Sequence, residues 1–145
     1  MNLKETLSYA LDKLLDAGMN HVEGGINEYE KKELNIESGK MSLFRTTFSN
    51  SISLEAIKDL KQSSISVNKI DKKSVDIAIT SLIESVNSSQ VDEANAISEN
   101  QTNEIFSKGQ LVPDLDLMYD RVEDFNKHVK NDYKKIILEA VTLDH

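Results

Sequence analysis

Ile52-Ser53-Leu54-Glu55-Ala56-Ile57-Lys58-Asp59-Leu60-Lys61-Gln62-Ser63-Ser64-Ile65-Ser66-Val67 is the stretch that decides the fold. Ile52, Leu54 and Ala56 alternate with Ser53 and Glu55, and after Lys58-Asp59-Leu60-Lys61 the alternation resumes at Ser63, Ile65 and Val67. A period of two is the mark of a strand with one buried face, and two such runs across a short turn pair antiparallel. Working back towards the N-terminus, Phe44, Thr46 and Phe48 share one face of a preceding strand, and Glu37-Ser38-Gly39-Lys40 is a turn, with glycine open to positive φ. Leu34 and Ile36 precede that turn, and Val22, Gly24 and Ile26 alternate before them. The pattern predicts an antiparallel meander of about four strands.

Helical spacing brackets this region. Leu3, Leu7, Ala10, Leu11, Leu14 and Leu15 recur every three or four residues, which predicts a helix from about Leu3 to Ala17, stopped by Gly18. A second helix opens at Asp71, a good N-cap, with Ile70 and Val75 placed as a hydrophobic staple. Its buried stripe is Val75, Ala78, Ile79, Leu82, Ile83 and Val86, and Asn87-Ser88-Ser89 ends it. From Gln90 to Gln110 the chain is polar and weakly patterned, with Ala94, Ala96 and Ile97 fit to anchor one turn and Ile105-Phe106 fit to pin a short extended piece. Pro113 imposes extended geometry on Val112. Val122, Phe125, Val129, Tyr133, Ile136, Ile137 and Ala140 then predict a last helix from about 119 to 142, running almost to the end without a cap. The fold class expected is α+β: an antiparallel meander packed against two to three helices, with residues 1–145 forming one domain.

The 145 residues carry 25 acids and 17 bases, a net charge of −8. Such a field repels a phosphate backbone, so direct nucleic-acid binding is not expected, whereas docking on a basic protein is open. Cysteine is absent, which excludes disulfides, thiol catalysis and thiolate zinc sites and fits a reducing, cytoplasmic setting. No apolar run approaches the ~20 residues of a membrane span, and Met1-Asn2-Leu3-Lys4-Glu5-Thr6 lacks the shape of a signal peptide.

Candidate chemistry is thin. Asp124, His128 and Asp132 are four apart on a helix, but zinc asks for three or four converging ligands, and Lys127 and Lys130 flank the histidine. Asp114, Asp116 and Asp120 open like a calcium loop, yet Met118, Tyr119 and Phe125 stand where an oxygen ligand, a glycine and a glutamate belong. Acids in a first helical turn suit the helix dipole. Gly24-Gly25 inside a strand reads either as close approach of a ligand backbone or as a bulge, the bulge being the commoner use. Asp92-Glu93 is an ordinary acid pair, and no phosphate loop, dinucleotide fingerprint or nucleophile elbow occurs. No catalytic, cofactor-binding or metal-binding residue is assigned.

Several short stretches resemble the N-terminal domain of the TldD/PmbA family, also called modulators of DNA gyrase. Ala17-Gly18-Met19-Asn20-His21-Val22-Glu23 is similar to an "AGAD-x-A-E" approach to the first strand, and Leu34-Asn35-Ile36-Glu37-Ser38-Gly39-Lys40-Met41 to an "L-x-V-x-N-G-x-V" hairpin. Ile52-Ser53-Leu54 through Asp59 and Gln62 resembles a "GLGVRV…DGR-x-G" strand pair, and Asp114-Leu115-Asp116-Leu117-Met118-Tyr119-Asp120 a "DLDLYD" stretch. Asn50, Ser51, Leu60 and Ser63 replace family glycines, as in a divergent member. The resemblance implies metal-dependent peptide hydrolysis by the whole protein, with a zinc-type divalent ion on an HExxxH helix in a C-terminal domain reached beyond His145. For this chain it implies no cofactor and a supporting role: enclosing the peptide and contacting a subunit of the same family, as homodimer or heterodimer. The alternative is a free-standing acidic module that binds a basic protein partner, a gyrase-linked one among the candidates.

Overall fold

The computed structural model describes residues 2–98, 102, 104–136, 138 and 140–145. In chain order the elements are helix α1 (Leu3–Asp16), strands β1 (His21–Glu37), β2 (Lys40–Lys58) and β3 (Lys61–Val67), helices α2 (Lys72–Ser88) and α3 (Leu115–Asp132), and strand β4 (Ala140–Asp144). The strands form one four-stranded sheet in the order β3-β2-β1-β4. The two edge pairings are antiparallel, and the two-residue Ser38-Gly39 turn makes β1 and β2 antiparallel as well. The α+β class, the strand number and the three helices match the sequence expectation.

The strands are drawn differently from the reading, however. The stretches around Val22 and Leu34 are one 17-residue strand, and those around Phe44 and Ile52 are one 19-residue strand. The fourth strand comes from the C-terminus, not from the meander. The expected helix from 119 to 142 is therefore corrected: α3 begins earlier, at Leu115, and stops at Asp132, and the chain returns as β4. Val141 and Leu143 pair with Ile36 and Leu34, so a period of two overrides the helical spacing of Tyr133, Ile136 and Ala140; Ile137 lies outside the described residues. At the end of α3 Tyr133 N–H donates to the Val129 carbonyl at 3.0 Å.

The chain divides into two compact units, Met1–Tyr29 with Ser49–Asn103 and Glu30–Phe48 with Glu104–His145. In the first, α1 and α2 cover one face of the strands. Its core joins Ala10 and Leu14 of α1, Ile52, Leu54 and Ala56 of β2, and Val75, Ile79, Leu82 and Val86 of α2. Local signals set the helix starts, at Asp71 as read and at Asn2 by a capping box the sequence reading did not include. Asn2 and Glu5 form a reciprocal capping box, and Asp71 accepts from both the N–H and the hydroxyl of Ser74. That hydroxyl is the largest influence holding the Asp71 carboxyl below its ordinary range.

In the second unit Leu34 and Ile36 pack with Met118 and Val122 of α3, joined by Val141 and Leu143. The β1–β2 turn is fixed here. Ser38 and Gly39 both have positive φ (49° and 74°), as a two-residue hairpin turn requires, and the Gly39 carbonyl accepts from Asn126 Nδ2 and Lys130 Nζ at 2.9 and 2.8 Å. Glu33 is 6% exposed, and its charge is met by Arg45, whose Nε and Nη2 lie 2.9 and 2.7 Å from Oε2. Lys31 bridges Glu33 and its cross-strand neighbour Asp144, at 3.5 and 3.0 Å, relieving two like charges set opposite each other. The Asp144 hydrogen bond is the main cause that raises the Lys31 pKa.

Candidate functional site

Gly24 decides what the glycine pair is for. A Cβ there would lie 2.9 Å from Leu7 Cδ1, 3.0 Å from Leu54 Cδ2 and 3.1 Å from the Ser53 carbonyl oxygen. The close approach is made by the protein's own α1, not by a ligand. Gly25 meets nothing within 4 Å and opens instead onto a shallow surface with Glu23, Ser53, Glu55, Ser64 and Ser66.

The acidic groups weighed in the sequence serve the helices. Asp114 is the N-cap of α3, accepting from Leu117 N–H at 3.0 Å, with Asp116 in the first turn. His128 Nδ1 lies 3.3 Å from the Asp124 carbonyl, on an exposed helical turn. Among the described residues no group of three or more His, Asp or Glu side chains is placed to hold a metal ion. Nor, among the described residues, is any helix long and apolar enough to cross a membrane.

One polar cluster sits on the helical layer of the first unit. Tyr9 Oη donates to Asp76 Oδ1 at 2.6 Å, and Lys72 Nζ lies 5.1 Å from the Tyr9 ring centroid and 3.6 Å from Asp76 Oδ2. The Tyr9 hydroxyl, first, and Lys72 then hold the Asp76 carboxyl below its ordinary value. The arrangement ties α1 to α2.

A concavity with a polar lining lies beside β3. A polar cleft of about 580 Å³ is lined by Gln62, Ser63 and Ser64 on one side and by the segment from Ser89 to Asp92 with Asn95 on the other. The far wall is fastened to the β2–β3 turn, because the Leu60 carbonyl accepts from Asp92 N–H at 3.0 Å and from Asn95 Nδ2 at 2.7 Å. Asp92 itself folds the wall into a turn, its Oδ1 accepting from Ala94 N–H. Lys61 points its ammonium at the Asn87 carbonyl, 3.0 Å away at the end of α2. Nothing in the sequence motifs indicated this cleft; the one legible signal was the run Gln62–Val67, an edge strand with no charge and no proline.

Apolar side chains also stand in solvent. On β2, Phe44 is 52% and Phe48 71% exposed, so the strand face they share is not covered by the second unit's own core. Ile105 and Phe106, expected to pin an extended piece, are 98% and 84% exposed and pin nothing.

No family model and no curated protein matches the sequence. Solved structures share its fold. TldE from Thermococcus kodakarensis superposes with a TM-score of 0.70 at 15% identity, covering 98% of this chain and 34% of that one. A proposed modulator of DNA gyrase from Bacteroides thetaiotaomicron gives 0.75 at 17% identity over 97% of this chain and 33% of its own. Another from Thermotoga maritima gives 0.68 at 10% identity, covering 97% and 32%. The chain thus spans about a third of the length of the proteins whose fold it shares, and they are of the kind its motifs resemble.

Proposed function

We propose that this chain is the N-terminal, non-catalytic domain of a TldD/PmbA-type metallopeptidase of the cytoplasm, where it helps enclose a peptide and contacts a related subunit. The observation that carries the reading is the fold likeness itself: nearly all of this chain superposes on a third of TldE and of each of the two modulators of DNA gyrase. The exposed Phe44 and Phe48 add to it, since large apolar side chains on a strand face are the usual material of a covered contact. On this reading the zinc-type ion and its HExxxH helix belong to residues beyond this chain. There the glutamate would serve as general base for a metal-bound water. This chain contributes walls and contacts and takes no part in the bond cleavage.

The test begins with the coding sequence downstream of His145. An open frame encoding HExxxH supports the proposal. A stop codon there, with no neighbouring frame encoding the motif, overturns it in favour of the free-standing acidic module. In the complete gene product, Phe44→Ser with Phe48→Ser should lower subunit association, measured by light scattering, while zinc content stays the same. Unchanged association would remove the contact role.

A further inference from the structure

The ladder between β2 and β3 fixes which backbone groups of β3 are free. Lys58 pairs with Lys61 across a two-residue turn, and the register continues through Ala56 with Ser63, Leu54 with Ile65 and Ile52 with Val67. The pair that closes such a turn exchanges both backbone hydrogen bonds, and the bonding then alternates along an antiparallel ladder. Lys61, Ser63, Ile65 and Val67 therefore turn their N–H and C=O towards β2. Gln62, Ser64 and Ser66 turn theirs outward, and β3 is the end strand of the sheet.

This edge already accepts a partner at its first residue. Val91 forms an antiparallel bridge with Lys61, and the Asp92 N–H to Leu60 carbonyl bond is one of the two hydrogen bonds such a bridge calls for. The chain then leaves the edge in the Asp92–Asn95 turn, and the cleft opens beside Gln62, Ser63 and Ser64. Natural edges are usually blunted by lysine, proline or a bulge. The only lysine of β3 is Lys61, where the bridge stands and whose ammonium is engaged by Asn87; from Gln62 to Val67 there is no blunting residue.

The charged side chain that lines the cleft is acidic, and the bases nearest in sequence, Lys61 and Lys69, stand at the start and just past the end of β3. Asp92 lines the cleft, Glu93 follows it, and Glu55 accepts from Gln62 Nε2 at 2.6 Å on the face shared with Ser64. The whole chain carries −8. We propose that the β3 edge from Gln62 to Val67 is a strand-addition site for an extended basic peptide. Its backbone would take the outward groups of Ser64 and Ser66, and its cations would face Asp92, Glu93 and Glu55. The inference stands on the ladder, the bridge and the charges of this chain. It needs neither a metal-binding domain nor peptidase activity, so the failure of one proposal leaves the other intact.

The experiment is amide hydrogen exchange by NMR on the whole chain, with acetyl-Lys-Thr-Val-Lys-Val-Thr-Lys-amide as probe and the same peptide with glutamate in place of lysine as control. Saturating basic peptide should slow exchange at Ser64 and Ser66 by about tenfold or more, with little change at Ile65 and Val67, which are already bonded to β2. Ser64→Pro removes one outward donor without touching the β2 ladder and should weaken the basic peptide by about tenfold, the equivalent of one lost hydrogen bond, whereas Ser64→Ala should not. If Ser64→Pro does not fold, Ser66→Pro serves the same purpose. Unchanged exchange at Ser64 and Ser66 overturns the proposal. So does equal protection by the acidic peptide, or protection that grows with protein concentration alone, which would make the occupant a second copy of this chain.

Discussion

Adding one methyl group at Gly24 and one at Gly25 should move stability in opposite directions. Both residues lie in β1, so the intrinsic gain from glycine to alanine is shared: about 0.5–1 kcal/mol from a less flexible unfolded chain. At Gly25 nothing lies within 4 Å, and Gly25→Ala should keep that gain. At Gly24 the methyl would meet two leucine methyls and a backbone oxygen at 2.9 to 3.1 Å. Leu7 and Leu54 can rotate in part, but the Ser53 carbonyl belongs to β2 and can shift only with the sheet. Overpacking of this kind costs about 1–3 kcal/mol, so Gly24→Ala should be net destabilising by about 1–2 kcal/mol. Urea unfolding followed by circular dichroism would read a lower midpoint for Gly24→Ala and a higher one for Gly25→Ala, with equal slopes. Midpoints shifted alike in both variants would refute the close docking of α1 on β1.

Ile79→Ala should cost about 2–5 kcal/mol, because Ile79 is 6% exposed in the core of the first unit, while Lys72→Ala on the surface of the same helix should leave the urea midpoint near wild type; equal midpoints would refute the facing of α2. Leu143→Asp should destabilise the second unit by about 3 kcal/mol and speed amide exchange from Glu33 to Glu37, whereas an unaltered protein would refute the β4 pairing. The Asp76 carboxyl should titrate below its ordinary 3.8 in a carbon-detected NMR titration, and Tyr9→Phe should bring it back up. Because the folded value is the lower one, the stabilisation from this group is present above 3.8 and is lost as pH falls through the folded value. Matching titration curves for the two proteins would remove the Tyr9 bond as the cause.

The helix cap at Asp71, the stripe of α2 and both hairpin turns were legible because each rests on contacts within a few residues. The C-terminal strand was not. Tyr133, Ile136, Ile137 and Ala140 fit a helical face, while Val141 and Leu143 fit a strand face, and only the apolar Leu34 and Ile36 on the far side of the sequence choose between them. Phe44 and Phe48 gave the strand correctly but not its exposure, since alternation identifies a face without saying what covers it. The cleft beside β3 was hidden for a similar reason: its walls are 25 or more residues apart in sequence, and they meet through the Leu60 carbonyl.

That carbonyl also gives the folding reaction an order. The Ser38-Gly39 turn carries its own glycine and can close as a local event on the microsecond scale. The Asp59-Leu60 turn holds two residues at φ 50° and 63° with no glycine, a conformation that L-residues resist by about 1–2 kcal/mol each. Asn20 Oδ1 accepts from Asp59 N–H at 2.8 Å, but both hydrogen bonds to the Leu60 carbonyl come from Asp92 and Asn95 on the far side of α2, so the turn is fully secured only after that helix has been laid down. The β1–β2 hairpin is thus a seed and β3 a late addition. Replacing Leu60 with glycine should then slow unfolding more than it speeds folding, because the turn it relieves is made late.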